Sequence, residues 1–296
     1  MDFKKGIRRL KHLFLRFWRS ENTKVSIVRD VFVAFLFVFI IVLALWVYTG
    51  QWFGTPMVAI ESGSMMHNDE PFGRLGTIDA GDMVLLVKVN SKEDIVPRGS
   101  SISGALAQKD TENFYYGDYG DVIIYRPYGE TDRDQIIHRA ICWVEYNEEY
   151  DTYTVEAYNI TNETSITITE IGLPNYKPSH SGFITKGDNP NTNQQADQTS
   201  PGICLEPIKV EWISGKARSE LPWIGTINLL FNDIFSGKST VKNVPGDSLI
   251  CLILFIAFLI SIPVSMDIYT HFKAKKEKKN QTIDNMIDID NKNKKL

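Results

Sequence analysis

Two long apolar runs constrain this chain more than any other feature of its sequence. Residues 31–48 and 249–266 form runs of 18 residues each, and neither run contains a charged side chain. A helix needs about 20 residues to cross the hydrocarbon core of a bilayer. Both runs are apolar on every face, unlike the single apolar stripe of a soluble surface helix. The sequence therefore predicts two transmembrane helices, over residues 31–52 and 246–267, with the lipid bilayer as a partner.

The distribution of charge orients these two spans. Residues 1–30 hold nine Lys or Arg against three Asp or Glu, residues 267–296 hold eight against five, and residues 53–245 hold fifteen against twenty-seven. Under the positive-inside rule, basic ends remain in the cytoplasm. We therefore expect an extracytoplasmic domain over residues 53–245 and a cytoplasmic basic tail over residues 268–296. The acidic middle also argues against nucleic acid as a partner.

The first 30 residues form a further segment of their own. Apolar and basic residues alternate at helical spacing over residues 4–18. This pattern is typical of an amphipathic helix that lies on anionic lipid, on the cytoplasmic side in this case. An ordinary solvated basic tail is the alternative interpretation.

The middle segment has the composition of a mainly β domain. Short runs of β-branched and aromatic residues are separated by Gly, Asp, Asn and Pro, as in strands joined by turns. No long amphipathic helix is predicted, and Cys142 and Cys204 lie where a disulfide between them is permitted. Residues 90–118 and 146–181 are interpreted as inserted loops or hairpins. The predicted strands cover residues 83–89, 122–125, 136–137, 140–144, 153–158, 165–169 and 210–213.

A serine-rich loop is the first candidate for chemistry. Ser62, Gly63 and Ser64 follow the apolar run of residues 57–60. A serine hydroxyl needs an adjacent base before it is a good nucleophile. Gly63 permits the close approach that would present the Ser64 hydroxyl and backbone N–H to a substrate carbonyl, and Ser62 would supply a second donor. The alternative is a loop that merely turns the chain.

His138 is the natural base, because it alone among the five histidines is framed by a predicted strand. His12 and His271 lie on the predicted cytoplasmic tails, His67 lies in a polar loop, and His180 lies in a stretch rich in Pro, Ser and Gly. An imidazole in this role takes the serine proton and later returns it to the leaving amine. A structural histidine is the alternative.

Two carboxylates are candidates for the group that orients the imidazole. Asp188 follows Gly187 and precedes an Asn-Pro pair, so a structural turn carboxylate fits its position equally well. Asp197 lies nine positions later and has less local structural explanation. The residues alone leave both carboxylates open as the partner of the His138 Nδ1–H.

Together, these segments resemble the successive sequence boxes of type I signal peptidases. The resemblance covers roughly residues 50–235. Histidine stands at position 138, where most bacterial members carry lysine, so the chain is similar to the endoplasmic-reticulum and archaeal branch, which uses Ser-His-Asp. The matching segments are Glu61–Met65, Ala80–Val84, Gly120–Tyr125, Ile137–Arg139, Thr185–Asn189, Ile213–Ala217 and Leu221–Gly225.

The resemblance implies a signal-peptidase-type β core and a membrane-bound serine endopeptidase that needs no metal and no cofactor. By position, Ser64 is the nucleophile, His138 is the base, and Ser62 with Ser64 forms the oxyanion hole. The acid of the family lies a few residues beyond its Gly-Asp-Asn box. That position favours Asp197 over Asp188, although the gap between box and acid is longer in this chain.

The implied substrates are exported preproteins, whose signal peptides would pair with an exposed strand edge such as residues 57–61. The secretion translocon that delivers them is a further expected partner at the cell membrane. One alternative is a dedicated processing peptidase for a few surface or pilus proteins, since insertions such as 90–118 and 146–181 often carry selectivity. Another is a non-catalytic, membrane-anchored binding subunit of the same fold. Asp82 and Asp121 also match the boxes, but we expect them to form turns that enter strands.

Overall fold

The computed structural model of the protein describes residues 11–12, 15–20, 22–52, 54–67, 76–99 and 113–293. Residues 15–18 are helical, but most of the amphipathic segment predicted over residues 4–18 lies outside the described residues. So do residues 100–112 of the first predicted insertion. The chain divides into two compact units. The first comprises Met1–Val58 and Val84–Ser219, and the second comprises Ala59–Met83 and Glu220–Leu296.

Helix α1 of the first unit covers Thr23–Thr49. Asn22 caps its start by accepting the Lys24 N–H at 3.0 Å, and Gly50 ends it with a φ of 68°, which glycine adopts without strain. The helix is long and apolar enough to cross a membrane. It begins before the predicted residue 31, because the more polar residues 23–30 continue the helix back to the cap at Asn22, and it ends at Thr49 rather than at residue 52.

The strands confirm the prediction of a mainly β protein. Strands β1, β2, β12, β5, β6, β7 and β8 are neighbours in that order in an eight-stranded sheet, in which β11 also pairs with β6. Their bounds, with those of the shorter hairpin strands, are β1 Met57–Ala59, β2 Met83–Val87, β3 Phe114–Tyr115, β4 Asp118–Tyr119, β5 Val122–Tyr125, β6 Ile136–Asn147, β7 Thr152–Val155, β8 Ile160–Glu163, β9 Ile166–Ile168, β10 Leu173–Tyr176, β11 Gly182–Lys186 and β12 Ile213–Leu221.

Strand β6 is the centre of this sheet. It pairs antiparallel with β5, β11 and β7 along its 12 residues. The two short strands predicted at residues 136–137 and 140–144 are therefore one continuous strand. The strand predicted at residues 210–213 is wrong, because Val210–Trp212 is a 3-10 helix and β12 begins only at Ile213.

Hydrophobic side chains of the first unit pack in two clusters near β6. One contains Cys142 and Val144, and the other contains Ile123, Ala140 and Cys204. Cys142 and Cys204 are both buried free thiols, so the disulfide that the sequence permits does not form. Burial raises the pKa of the Cys142 thiol far above its ordinary value.

The two predicted insertions contain short hairpins where they are described. Strands β3 and β4 pair between residues 114 and 119. In the second insertion, β7 pairs with β8, and β9 pairs with β10. The sequence pattern of alternating polar positions thus corresponds to small β elements attached to the central sheet.

The second unit contains two further helices. Helix α2 covers Gly225–Ser236, a helix of 12 residues that is not predicted from the sequence. Helix α3 begins at Gly246, as predicted, but continues to Asn293 through the expected basic tail. Its portion Gly246–Glu277 is long and apolar enough to cross a membrane. The described chain thus has two apolar helices that could span a bilayer, one in each unit.

Candidate active site

His138 is the third residue of β6 and lies opposite Ile123 of β5. Its side chain and that of Asp197 are each only 2% exposed. Buried polar atoms need partners within the protein, and the Nδ1 atom of His138 lies 2.6 Å from the Oδ2 atom of Asp197. Because a carboxylate only accepts hydrogen bonds, Nδ1 is the donor, and the other ring nitrogen carries a lone pair when the imidazole is neutral.

Asp197 is the acceptor of a three-donor network. Its Oδ2 atom accepts from the Tyr125 hydroxyl at 2.8 Å and from the Thr185 hydroxyl at 2.7 Å, as well as from His138. Hydrogen bonds to a charged acceptor are about twice as strong as neutral ones. These donors offset part of the cost of removing a carboxylate from water, so they stabilise a negative charge beside the imidazole.

The surroundings of Tyr125 keep its phenol protonated, so that it donates a hydrogen bond to Asp197. Burial first, and the charge of Asp197 second, raise the pKa of the Tyr125 phenol well above its ordinary value. The phenol therefore keeps its proton at any physiological pH. Tyr125 is the last residue of the buried strand β5, and from this position its hydroxyl reaches the Asp197 carboxylate.

The loop after β11 folds back to bring Asp197 to this position. The Asp197 N–H donates to the Thr185 carbonyl at 2.9 Å, and the Gln198 side chain accepts the Thr185 N–H at 3.1 Å. Gly202 allows the tight return, since a Cβ atom there would lie 2.1 Å from the Asp197 carbonyl oxygen. A register shift between Ile184 and Thr185 adds a bulge beside the network, a common device for aiming side chains at a site.

Asp188 has a different partner. The Arg139 side chain is fully buried, and its Nε atom lies 2.9 and 3.0 Å from the two carboxylate oxygens of Asp188. An Nη2 contact completes a bidentate ion pair. Arg139 also donates to the carbonyls of Tyr115, Tyr116, Asp118, Tyr119 and Gly120. Asp188 thus balances a buried charge that holds the chain around β3 and β4.

Asn193 is a neighbour of the other imidazole nitrogen. Its Nδ2 atom lies 3.4 Å from the Nε2 atom of His138, and its backbone N–H donates to the Asn189 carbonyl at 2.8 Å. Sequence reasoning assigned no role to Asn193, Tyr125 or Thr185. The available signal was a polar side chain within an otherwise apolar strand, which applies to Tyr125 and Thr185 but not to the loop residue Asn193.

The serine loop belongs to the second unit and follows β1. The hydroxyls of Ser62 and Ser64 lie 3.3 Å apart, so either can donate to the other. The Met66 N–H donates to the Gly63 carbonyl at 3.2 Å and closes a turn, while the buried side chain of Met65 anchors it. Ser64 itself is partly exposed and accessible from solvent.

Asp82 fixes the base of this loop. Its carboxylate accepts the Asp79 N–H at 2.9 Å and the Trp223 N–H at 2.8 Å, and its backbone carbonyl accepts the Ile60 N–H at 2.9 Å. Burial raises the pKa of Asp82 to about 6, and the two backbone donors only partly oppose that rise. Asp121, in the first unit, is likewise engaged, in its case by ion pairs.

The structure brings His138 and Asp197 together in the first unit and Ser62 and Ser64 together in the second. Asp188 does not join either pair. The partnership of Ser64 with His138 stays a prediction. Within the described ranges, no group of three or more His, Cys, Asp or Glu side chains is arranged to hold a metal ion.

Comparison with known proteins gives no family assignment. No protein-family model matches the chain, and no curated protein matches it either. The functional argument therefore depends on the chemistry of the residues described above.

Proposed function

We propose that the protein is a membrane-bound serine endopeptidase that cleaves signal peptides from exported preproteins. The observation that carries this proposal is the buried pair of His138 and Asp197, supported by two further hydroxyl donors. Burying such a pair is costly. An oriented imidazole with a negatively charged partner is what a general base in acyl transfer requires.

In the proposed reaction, Asp197 accepts the Nδ1–H of His138 and leaves the Nε2 lone pair to remove the proton of Ser64. The Ser64 oxygen attacks the scissile carbonyl, and a tetrahedral intermediate forms. The protonated imidazole then gives its proton to the leaving amine, so the peptide C–N bond breaks and an acyl-enzyme remains. Water, deprotonated by the same imidazole, hydrolyses the ester and restores Ser64.

The negative charge of the tetrahedral intermediate needs donors that are already in place. The Ser64 backbone N–H and the Ser62 hydroxyl fill this role in our proposal. The 3.3 Å separation of the two serine hydroxyls supports it, because one donor then lies beside the reacting oxygen. Removal of one such donor typically lowers kcat by about 10²–10³-fold.

The two apolar helices support a location at the membrane. The basic segments before α1 and within the C-terminal part of α3 favour the cytoplasm for both ends, by the positive-inside rule. The sheet and the serine loop would then face the other side, where signal peptides emerge. Strand β1 ends the sheet order among the described strands, which supports it as the edge on which an extended substrate pairs.

The test is cleavage of a preprotein by the full chain in liposomes. We expect Ser64→Ala and His138→Gln to abolish cleavage, with the wild-type unfolding temperature retained. His180→Gln and Ser179→Ala are matched controls, because Ser179 is exposed and the partly buried His180 contacts Glu206 and Trp212 rather than Asp197, and both variants should cleave normally. Mass spectrometry of the products locates the cut after a small residue.

Full cleavage by folded Ser64→Ala would overturn the mechanism. A panel of unrelated preproteins separates the alternatives. Cleavage of many of them supports a general signal peptidase, cleavage of only a surface or pilus protein supports the dedicated enzyme, and binding without cleavage by wild type supports the non-catalytic subunit.

A further inference from the structure

Helix α2 exposes an unusually apolar face. Phe235 is 85% exposed, Ile234 is 72% exposed and Phe231 is 58% exposed, and Ile227 and Leu230 are exposed beside them. These five residues follow the i, i+3, i+4, i+7, i+8 spacing of a single helical face. A contiguous apolar face of this kind marks an interaction surface rather than one that faces water.

The rest of the helix is already engaged within the second unit. Thr226 and Leu229, on the opposite face, are fully buried. The charged residue of the helix, Asp233, is turned to the following segment, where it accepts the N–H groups of Thr240 and Val241 at 2.9 and 3.0 Å. These backbone donors lower the pKa of the Asp233 carboxyl. The exposed face therefore carries no charge.

We propose that α2 lies in the plane of the membrane, with this exposed face inserted between the lipid headgroups. We infer that lipid covers this face because α2 is close in the chain to a helix that could span the membrane. Helix α2 ends at Ser236, and the apolar helix α3 begins at Gly246 within the same unit. The link between them carries the exposed residues Lys238 and Lys242, which suit anionic headgroups. Aromatic and aliphatic anchors next to basic residues are typical of interfacial helices.

The hydrogen bonds of the second unit couple this helix to the serine loop. The Thr226 N–H donates to the Gly81 carbonyl at 2.8 Å, and the Gly81 N–H donates to the Ile60 carbonyl at 2.9 Å. From the link, the Asn243 side chain donates to the Glu61 carbonyl at 2.8 Å, three residues before Ser64. A helix fixed at the bilayer surface thus fixes the depth of Ser64. This positioning role rests on the proposed function, whereas the membrane contact does not.

A depth measurement tests the membrane contact without any need for activity. A spin label is attached to Phe235→Cys in the full chain that also carries Ser64→Ala and Cys251→Ser, in vesicles of phosphatidylcholine and phosphatidylglycerol. Cys142 and Cys204 are buried, and the chain without the introduced cysteine measures their background. Tyr150→Cys is the matched control, because Tyr150 is 68% exposed in the first unit.

We expect the label at residue 235 to collide with oxygen, which concentrates in lipid, and to be shielded from a water-soluble nickel complex. The label at residue 150 should show the reverse. Ile234→Cys repeats the test if the first variant does not fold. Free access of the nickel complex at both α2 positions would overturn the proposal, because it would show that this face is in water.

The positioning role is tested by the ratio of two cleavage rates, that of a membrane-inserted preprotein to that of a short soluble peptide with the same cleavage site. We expect the double variant Phe231→Gln, Phe235→Gln to lower this ratio by at least about tenfold, because small displacements of reacting groups are costly. The flanking variants Asn228→Gln and Asn232→Gln should leave it unchanged. An unchanged ratio in the double variant would overturn the positioning role. Absence of cleavage of both substrates by the parent chain would count against the proposed function alone.

Discussion

Replacement of Asp197 by asparagine separates charge from shape at the candidate site. The amide has nearly the volume of the carboxylate, and with its oxygen in the Oδ2 position it accepts from Tyr125, Thr185 and His138 as the carboxylate does. In the other orientation its NH₂ group takes that position, where it donates to His138 Nδ1 and imposes the tautomer whose Nε2 already carries a proton. The variant should fold, but its base is either in the wrong tautomer or without a charged partner.

The size of the effect follows from the 2.6 Å contact between Nδ1 and Oδ2. During the reaction the imidazole becomes positive, and opposite charges about 4 Å apart attract by about 4 kcal/mol at an effective dielectric constant of about 20. At about 1.36 kcal/mol per factor of ten, this loss corresponds to about 10³-fold in kcat. Loss of the correct tautomer brings the expected decrease to about 10³–10⁴-fold.

The assay is initial-rate cleavage of a preprotein in liposomes at several substrate concentrations, so that kcat and KM are resolved. We expect kcat to fall while KM changes by less than about threefold, because Asp197 is buried and does not contact the substrate in our mechanism. Unfolding temperatures of wild type and variant are compared in parallel. A folded Asp197→Asn protein that keeps more than a tenth of the wild-type kcat would refute the assignment of Asp197 as the orienting carboxylate.

Three further predictions concern neighbouring groups. Asp188→Asn leaves the buried Arg139 guanidinium without its anion, so we expect it to lower the free energy of unfolding by about 3–5 kcal/mol, measured by chemical unfolding in detergent. Asp82 has a pKa of about 6 in the folded chain, above the ordinary value of 3.8. The contribution of Asp82 to the free energy of unfolding is therefore fully present below about pH 4 and is lost as pH rises through about 6, by up to about 3 kcal/mol. The Asp82→Asn variant should lack this pH dependence in unfolding curves measured at several pH values. Asn193→Ala removes a weak competitor for the His138 Nε2 lone pair, so kcat/KM should rise by no more than about fivefold.

Each of these expectations has a contrary outcome. Unchanged stability with lost cleavage in Asp188→Asn would transfer the catalytic carboxylate to that position. A stability of wild type relative to Asp82→Asn that increases between pH 4 and pH 6 would mean that the carboxyl of Asp82 is favoured in its charged form. A tenfold loss of kcat/KM in Asn193→Ala, with folding intact, would show that this amide assists the base rather than competes for it.

Helix α2 is an element that the amphipathic sequence pattern did not predict. Amphipathic helices are recognised because one face is apolar and the other is polar. In residues 225–236 the apolar residues at helical spacing lie on the exposed side, whereas the buried side includes the polar Thr226, so the usual rule that the apolar face is the buried one does not apply. The strand predicted at residues 210–213 failed for a related reason, since a short apolar run does not distinguish a strand from a turn of 3-10 helix.

The sequence by itself determined the features that depend on local composition. The two apolar helices and the mainly β middle segment follow from run length and residue type, because helix and strand periodicities act over neighbouring residues. Ser64 and His138 were identified as candidates from their positions after or beside apolar runs, and their pairing remains a prediction.

Only the tertiary structure decided which carboxylate contacts His138. Asp188 and Asp197 lie in one polar loop, and nothing local distinguishes their partners. The fold sends Asp188 to a buried arginine and returns Asp197 to the imidazole through hydrogen bonds with β11. Contacts between residues far apart in the chain depend on how strands pair and loops close. The pairing of each buried carboxylate with Arg139 or His138 is therefore a property of the tertiary structure.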